Sequence, residues 1–241
     1  MRILLGKITK MKIGVFAYNF KHWKTQAGLF NLCMSGNKPN IIFAAEPVEL
    51  NFYRSKTRTS PRDQFLWHPR DIAKYFGIDF EVVVHNSDET ASLVKRYDLD
   101  VGVILGSRIL KPVAFRAFKL GVINMHPGIL PENRGLDNLK WAILKNLPQG
   151  VTCHLIDEKI DRGFLLLQKE IQVYKDDTLV DLHLRIQNLE QSMMIESLEL
   201  LQTRREELTV LEKGTYHKSV PEEDEKVLST AFEKYKNLRG V

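Results

Sequence analysis

The feature that most limits the fold is a recurring order of apolar runs. Ile13–Ala17, Ile41–Ala45, Phe80–Val84, Val101–Leu105 and Gly121–Met125 are short and rich in β-branched residues, and segments with helical character separate them. Strands that alternate with helices build βαβ units, because a parallel partner is reached only through a crossover. The expected fold is α/β, a mainly parallel twisted sheet flanked by helices. The spacing predicts helices over Trp23–Met34, His68–Phe76 (opened by Pro69), Asp88–Arg96 and Pro112–Phe118. Val101–Leu105 is apolar enough to be buried on both faces.

Beyond the fifth strand the pattern predicts a helix over Leu139–Leu144, strands over Val151–Ile156 and Phe164–Val173, and a long helix over Thr178–Leu201. In that helix Leu182, Ile186, Leu189 and Met193 form one packing face. From Gln202 the chain turns charged, and Pro221-Glu222-Glu223-Asp224-Glu225 reads as an acid-rich helix start. The expected organisation is an N-terminal extension over 1–10, a main domain over 11–203 and a short C-terminal appendage over 204–241. The polar, basic stretch from Leu50 to Trp67 is a candidate binding loop.

Composition removes several classes. No apolar run reaches the roughly 20 residues of a membrane helix, and no secretory signal is visible, which points to a cytoplasmic chain without a membrane partner. Cys33 and Cys153 are the only two cysteines, without metal-ligand spacing, so no metal site is expected. A net charge of +5 suits anionic small molecules and does not call for nucleic acid. No heptad pattern is present, which leaves monomer and homodimer both open.

The chemistry concentrates where Asn124 and His126 close the fifth strand. Two residues apart, they share a face, and in open α/β sheets ligands bind beyond the carboxyl ends of strands. An amide can donate to an oxygen gaining charge while an imidazole handles a proton. A carboxylate comes from Asp157-Glu158-Lys159-Ile160-Asp161-Arg162-Gly163, where Asp161 sits beside a glycine that permits a sharp turn. Spacing alone leaves the alternative open, since an Asn at a strand end often caps a turn and a His often packs as a structural residue.

Asn124-Met125-His126-Pro127-Gly128-Ile129-Leu130-Pro131, Arg134-Gly135, Gly150-Val151-Thr152-Cys153-His154 and Ile160-Asp161-Arg162-Gly163 together resemble the formyltransferase family that includes glycinamide ribonucleotide and methionyl-tRNA formyltransferases. The resemblance covers about Ile13 to Leu201. It implies a Rossmann-like domain that uses 10-formyltetrahydrofolate as formyl donor, with Asn124, His126 and Asp161 catalytic. It further implies folate contacts at Arg108, Ile109, Leu110 and Asp157, Glu158, Lys159 and Ile160, with Thr152 and His154 lining the cavity. His154 reads equally well as an inward packing residue.

The acceptor is read from departures. Ala17-Tyr18-Asn19-Phe20-Lys21-His22 stands where glycinamide ribonucleotide enzymes have a glycine-rich phosphate loop. Methionyl-tRNA enzymes carry a further C-terminal domain, and folate-cleaving hydrolases an extra regulatory one. Asn133-Arg134-Gly135, Asn138, Trp141 and Tyr216-His217-Lys218 are similar to the bacterial nucleotide-sugar N-formyltransferases. That resemblance implies a dTDP-linked amino sugar, dTDP-4-amino-4,6-dideoxyglucose being the first choice, for surface polysaccharide (O-antigen) synthesis. Candidate contacts are Lys21, Arg54, Lys56, Arg58 and Arg62 for the diphosphate, Tyr53, Phe65 or Trp67 for the base, and Arg134, Asn138 and Trp141. The alternatives are another amine, on methionyl-tRNA or glycinamide ribonucleotide, and a non-catalytic nucleotide-binding module.

Overall fold

The computed structural model describes residues 10–49, 55–159, 161–203 and 208–241. Tyr53, Arg54, Ile160 and most of the expected 1–10 extension lie outside the described residues. Two compact units emerge. One holds the described residues up to Glu46 with Trp67–Val122, the other the described residues of 47–66 with Ile123–Val241.

In the first unit β1 (Ile13–Tyr18) pairs in parallel with β2 (Ile41–Ala45), and β2 in parallel with β3 (Asp79–Val82). β4 (Val101–Ile104) is parallel to β1 on its other side. The crossovers carry α1 (Trp23–Met34), α2 (Pro69–Phe76) and α3 (Asp88–Arg96), and α4 (Pro112–Phe115) follows β4. Ile13, Val15, Phe16, Ile41, Phe43, Val101 and Val103 are fully buried, which explains why these strands read as continuous apolar runs. Local signals set the helix ends. His68 Nδ1 accepts from Arg70 N at 3.2 Å ahead of Pro69, and Gly77 at φ 61° stops the helix in the left-handed region.

Two elements of this unit differ from expectation by more than one residue. β3 is shifted to Asp79–Val82, because its register against β2 runs from Ile41↔Asp79 to Ala44↔Val82. α4 ends at Phe115, and Phe118 turns inward against Phe16, ring centroids 5.8 Å apart.

The second unit takes β5 (Gly121–His126) from Ile123 onward, then β6 (Arg134–Gly135), α5 (Asn138–Leu144) and the hairpin β7 (Gly150–Ile156) and β8 (Gly163–Glu170). After these come α6 (Leu179–Thr203), β9 (Thr209–Val210), β10 (Tyr216–His217) and α7 (Glu222–Arg239). β7 is antiparallel to β5 and β8, β9 is antiparallel to β8, and β10 is parallel to β6. β8 stops at Glu170 and does not reach Val173, since its partner strand starts opposite it at Gly150. The α/β class and the parallel pairing read from the sequence are found, with the antiparallel part in this second unit.

α6 starts with reciprocal caps: Asp181 N donates to Thr178 Oγ1 at 3.2 Å and Thr178 N to Asp181 Oδ2 at 2.8 Å. Its buried Leu182, Ile186 and Met193 lie on the face expected from their spacing, and the helix packs on β7 and β8. α7 has four acids in its first turn and Lys236 and Arg239 in its last, matching the helix dipole. It buries Leu228, Phe232 and Tyr235 and packs on α5, with Tyr235 OH donating to Leu147 O at 2.8 Å. No helix among the described residues is long and apolar enough to cross a membrane.

Because α7 is packed and not free, Phe232→Ala should destabilise the chain by about 3–5 kcal/mol, the usual cost of emptying a buried aromatic site. A shift of the urea midpoint at unchanged slope checks this, and an unaltered midpoint would mean that α7 contributes no core.

Candidate active site

Strand pairing assembles the site. The β5–β7 register places Asn124 opposite His154 and His126 opposite Thr152, so the four side chains share one face of the ladder. The β7–β8 turn brings the carboxylate. Asp161 adopts φ 46°, a left-handed conformation that aspartate tolerates better than most residues, and Gly163 follows at φ 117°. A Cβ at Gly163 would lie 1.9 Å from Leu155 O, so only glycine closes this turn without displacing backbone.

Asp161 and His126 face one another, with Oδ1 3.3 Å from Nδ1 and side chains 13% and 4% exposed. The other carboxylate oxygen accepts from Gly135 N at 2.8 Å. Burial pushes the Asp161 carboxyl up. The hydrogen bond and charge of His126, with the Gly135 N–H, outweigh it and hold the group below its ordinary value. Asp161 is therefore ionised at neutral pH. His126 Nε2 donates to Asn133 O at 2.7 Å, which leaves the Nδ1 edge to the carboxylate. Asn138 Nδ2 donates to the same Asn133 carbonyl at 2.8 Å and braces the ring.

Asn124 is held from below. His154 Nδ1 donates to Arg162 O at 2.9 Å, which fixes the tautomer, so its Nε2 accepts from Asn124 Nδ2 at 3.3 Å. The Asn124 amide is half-buried, and its second N–H is left for a ligand oxygen. Burial, then the charge of the neighbouring His126, brings His154 down to about 4, so the ring stays neutral at pH 7.

The remaining nominated residues divide. Thr152 is fully buried; its hydroxyl donates to Gly128 O at 2.7 Å and accepts from Leu130 N at 3.1 Å and Gln168 Nε2 at 2.9 Å. All three valences are used, so Thr152 holds the 128–131 turn and is not open to a ligand. His154 is likewise fully buried and takes the inward, packed place, acting on Asn124. Lys159 N donates to Asp157 Oδ1 at 2.7 Å, which shapes a polar turn with Glu158 and Lys159 exposed. In the first unit Arg108 and Ile109 are exposed and Leu110 is buried. Asn86 pins that segment through Ile109 O at 2.9 Å and Lys111 N at 2.7 Å.

Of the proposed nucleotide-sugar contacts, Lys21 is exposed and Trp67, 36% exposed, stands edge-on to Phe30, both in the first unit. Arg134 is buried, its Nη1 donating to Gly214 O at 3.2 Å. Asn138 is buried beside His126, and Trp141 stacks on His217 while its Nε1 donates to Lys218 O at 2.7 Å. These three therefore support the fold of the second unit as placed. Lys56 and Arg58 are exposed in the same unit. Among the described residues no three His, Cys, Asp or Glu side chains are grouped to hold a metal ion.

The sequence reading passed over the Gly135 N–H and the Asn133 carbonyl. Neither carries a side-chain signal, as both act through main-chain atoms.

Comparison with known proteins follows the same lines. A model of the formyl transferase family matches residues 54–198. The chain is 28% identical over 131 residues to a methionyl-tRNA formyltransferase of Chlorobium chlorochromatii, a match covering 52% of this chain and 42% of that protein. It is 34% identical over 107 residues to a GDP-perosamine N-formyltransferase of Brucella melitensis, covering 44% and 41% respectively. The chain thus spans about two fifths of the length of these relatives. A solved glycinamide ribonucleotide transformylase of Symbiobacterium toebii superimposes with a TM-score of 0.62 at 19% identity, over 84% of this chain and 92% of that one. At that identity the likeness shows the fold.

One consequence is testable without any ligand. Between about pH 6.5 and 4 the unfolded chain takes up protons that the folded His154 refuses, so stability is complete above that window and falls as pH drops through it. His22, also held at about 4 by burial and Lys24, acts in the same sense. Urea midpoints from pH 7.5 to 4.5 should fall for the wild type and fall less for His154→Gln. Equal slopes would contradict the assignment.

Proposed function

The chain belongs to the formyl transferase family, and on that premise we propose that it transfers a formyl group from 10-formyltetrahydrofolate to the primary amine of a nucleotide-linked amino sugar. The acceptor we assign is dTDP-4-amino-4,6-dideoxyglucose, in the cytoplasm, for surface polysaccharide. The observation that carries the reading is the ionised Asp161 carboxylate, 3.3 Å from His126 Nδ1, two strand positions from a half-buried amide that a neutral histidine orients. That constellation suits acyl transfer, which needs one group for a developing oxyanion and another for a proton.

10-Formyltetrahydrofolate, when bound, supplies the carbonyl carbon that is attacked. Within the second unit the turn at Asp157, Glu158 and Lys159 would hold it. Asn124 would donate its free N–H to the oxygen that gains negative charge. His126 and Asp161, 3.3 Å apart, would take the proton that leaves the attacking amine and return one to the folate nitrogen as its bond to the formyl carbon breaks. His154 stays neutral throughout, which keeps the Asn124 amide pointing one way. The amine must arrive unprotonated, so activity should rise with pH through the amine's own titration.

The Brucella melitensis protein supports the nucleotide-sugar acceptor, since a relative of similar identity acts on GDP-perosamine. The Chlorobium chlorochromatii match supports a second reading, with methionyl-tRNA as acceptor. Product formation from 10-formyltetrahydrofolate with the dTDP-amino sugar, GDP-perosamine, methionyl-tRNA and glycinamide ribonucleotide in parallel separates them. We expect turnover with a nucleotide sugar and a roughly hundred- to thousandfold loss of kcat in Asn124→Ala, the effect of removing one oxyanion donor. Turnover confined to methionyl-tRNA or glycinamide ribonucleotide would keep the chemistry and overturn the acceptor. Nucleotide binding without turnover on any amine would make the chain a non-catalytic nucleotide-binding module.

A further inference from the structure

Residues 55–66 are flanked in sequence by the first unit, yet they pack within the second. Glu225 of α7 is the main anchor. Its Oε2 accepts from Lys56 N at 3.1 Å and its Oε1 from Thr57 N at 3.2 Å and from the Ser55 hydroxyl. Lys140 of α5 also reaches the Ser55 hydroxyl and pairs with Glu225 at 3.1 Å, the two charged side chains only 6% and 7% exposed. Glu222, one turn earlier on α7, pairs with Lys56 Nζ at 3.2 Å. Farther along the loop, Ser60 Oγ lies 3.4 Å from His183 Nε2 of α6.

A buried carboxylate that collects two main-chain N–H groups, a hydroxyl and an ammonium is not an incidental surface pair. Burying it is unfavourable unless every partner is present, so the loop backbone and the pair stabilise one another. On the stretch fixed this way, Arg58 and Arg62 remain exposed, and Arg58 Nη1 donates to Ser60 O at 3.3 Å within the same loop. A guanidinium presented from a fixed backbone loses little freedom on meeting a phosphate, and its forked donors match phosphate oxygens.

We propose that α7 sets acceptor selectivity, Glu225 fixing residues 55–62 so that Arg58 and Arg62 meet the diphosphate of the nucleotide-linked acceptor. The proposal rests on the nucleotide-sugar reading above, and its test includes one measurement that needs no acceptor. In the full chain, Glu225→Gln should raise the rate of native-state tryptic cleavage after Lys56, Arg58 and Arg62 about tenfold, since each lost charged hydrogen bond loosens the backbone it holds. In the same variant the KM for the dTDP-amino sugar should rise about tenfold, with kcat and the KM for 10-formyltetrahydrofolate within about twofold of wild type.

Arg58→Gln/Arg62→Gln should raise the acceptor KM by a similar factor, and adding Glu225→Gln should then change little, because both act on one contact. Should Glu225→Gln fail to fold, Lys140→Met/Glu225→Gln removes the stranded ammonium and is measured in its place. Unchanged cleavage, or a matching rise in the folate KM, would overturn the proposal. If no acceptor turns over, direct binding of dTDP decides: equal affinity in wild type and Arg58→Gln/Arg62→Gln overturns it, and a weaker variant upholds the clamp while the catalytic reading falls.

Discussion

The Asp161 carboxylate lies between the Gly135 N–H and the His126 ring, and the arrangement of the second unit converges on that contact. The turn that delivers it tolerates only glycine at 163. The strand that receives it depends on Gly135, at φ 100°, where a Cβ would fall 2.0 Å from His217 O. That approach exists because β10 lies alongside β6, with Leu136 N donating to His217 O at 2.9 Å. A C-terminal segment thus braces the residue that binds the central carboxylate. Charge follows from the same placement. Burial pushes the Asp161 carboxyl up, and the imidazole and the N–H outweigh it and hold the group below its ordinary value.

A division of labour follows within the second unit. Asn124 and His126 come from one strand, Asp161 from the next turn, and Asn133, Asn138 and His154 fix their orientation through buried hydrogen bonds. These contacts are short-range and rigid, as acid–base chemistry requires. The exposed cations sit instead on a loop that α5 and α7 tie down from outside the strand-end cluster. On the proposed reading, chemistry placed on strand ends and recognition placed on a loop would allow the acceptor to change while the transfer step stays the same.

The sequence made the strands and most helices legible because burial writes a simple pattern: fully covered strands read as apolar runs, and Pro69 marks the start of α2. The motifs around Asn124, His126 and Asp161 mark them as candidates, and the fold sets Asp161 3.3 Å from His126. Less was legible where partners are distant. Nothing near Thr152 signals that its hydroxyl is consumed by Gly128, Leu130 and Gln168, and nothing near Arg134 or Asn138 signals burial. Glu225 read as one acid among four at a helix start, and only the fold sets it against Lys140, more than eighty residues away in sequence. Main-chain donors such as Gly135 leave no residue-type mark at all.

The most direct test of the account is the formyl-transfer rate of Asp161→Asn, measured alongside its unfolding midpoint. The amide keeps the shape and can still accept from Gly135, but it puts no negative charge beside His126 Nδ1. The account predicts a folded chain whose kcat falls by roughly a thousandfold or more, the scale seen when a carboxylate partner of a catalytic histidine is neutralised. A rate within about threefold of wild type would mean that the Asp161–His126 contact is structural, and the centre of the mechanism would have to be sought elsewhere.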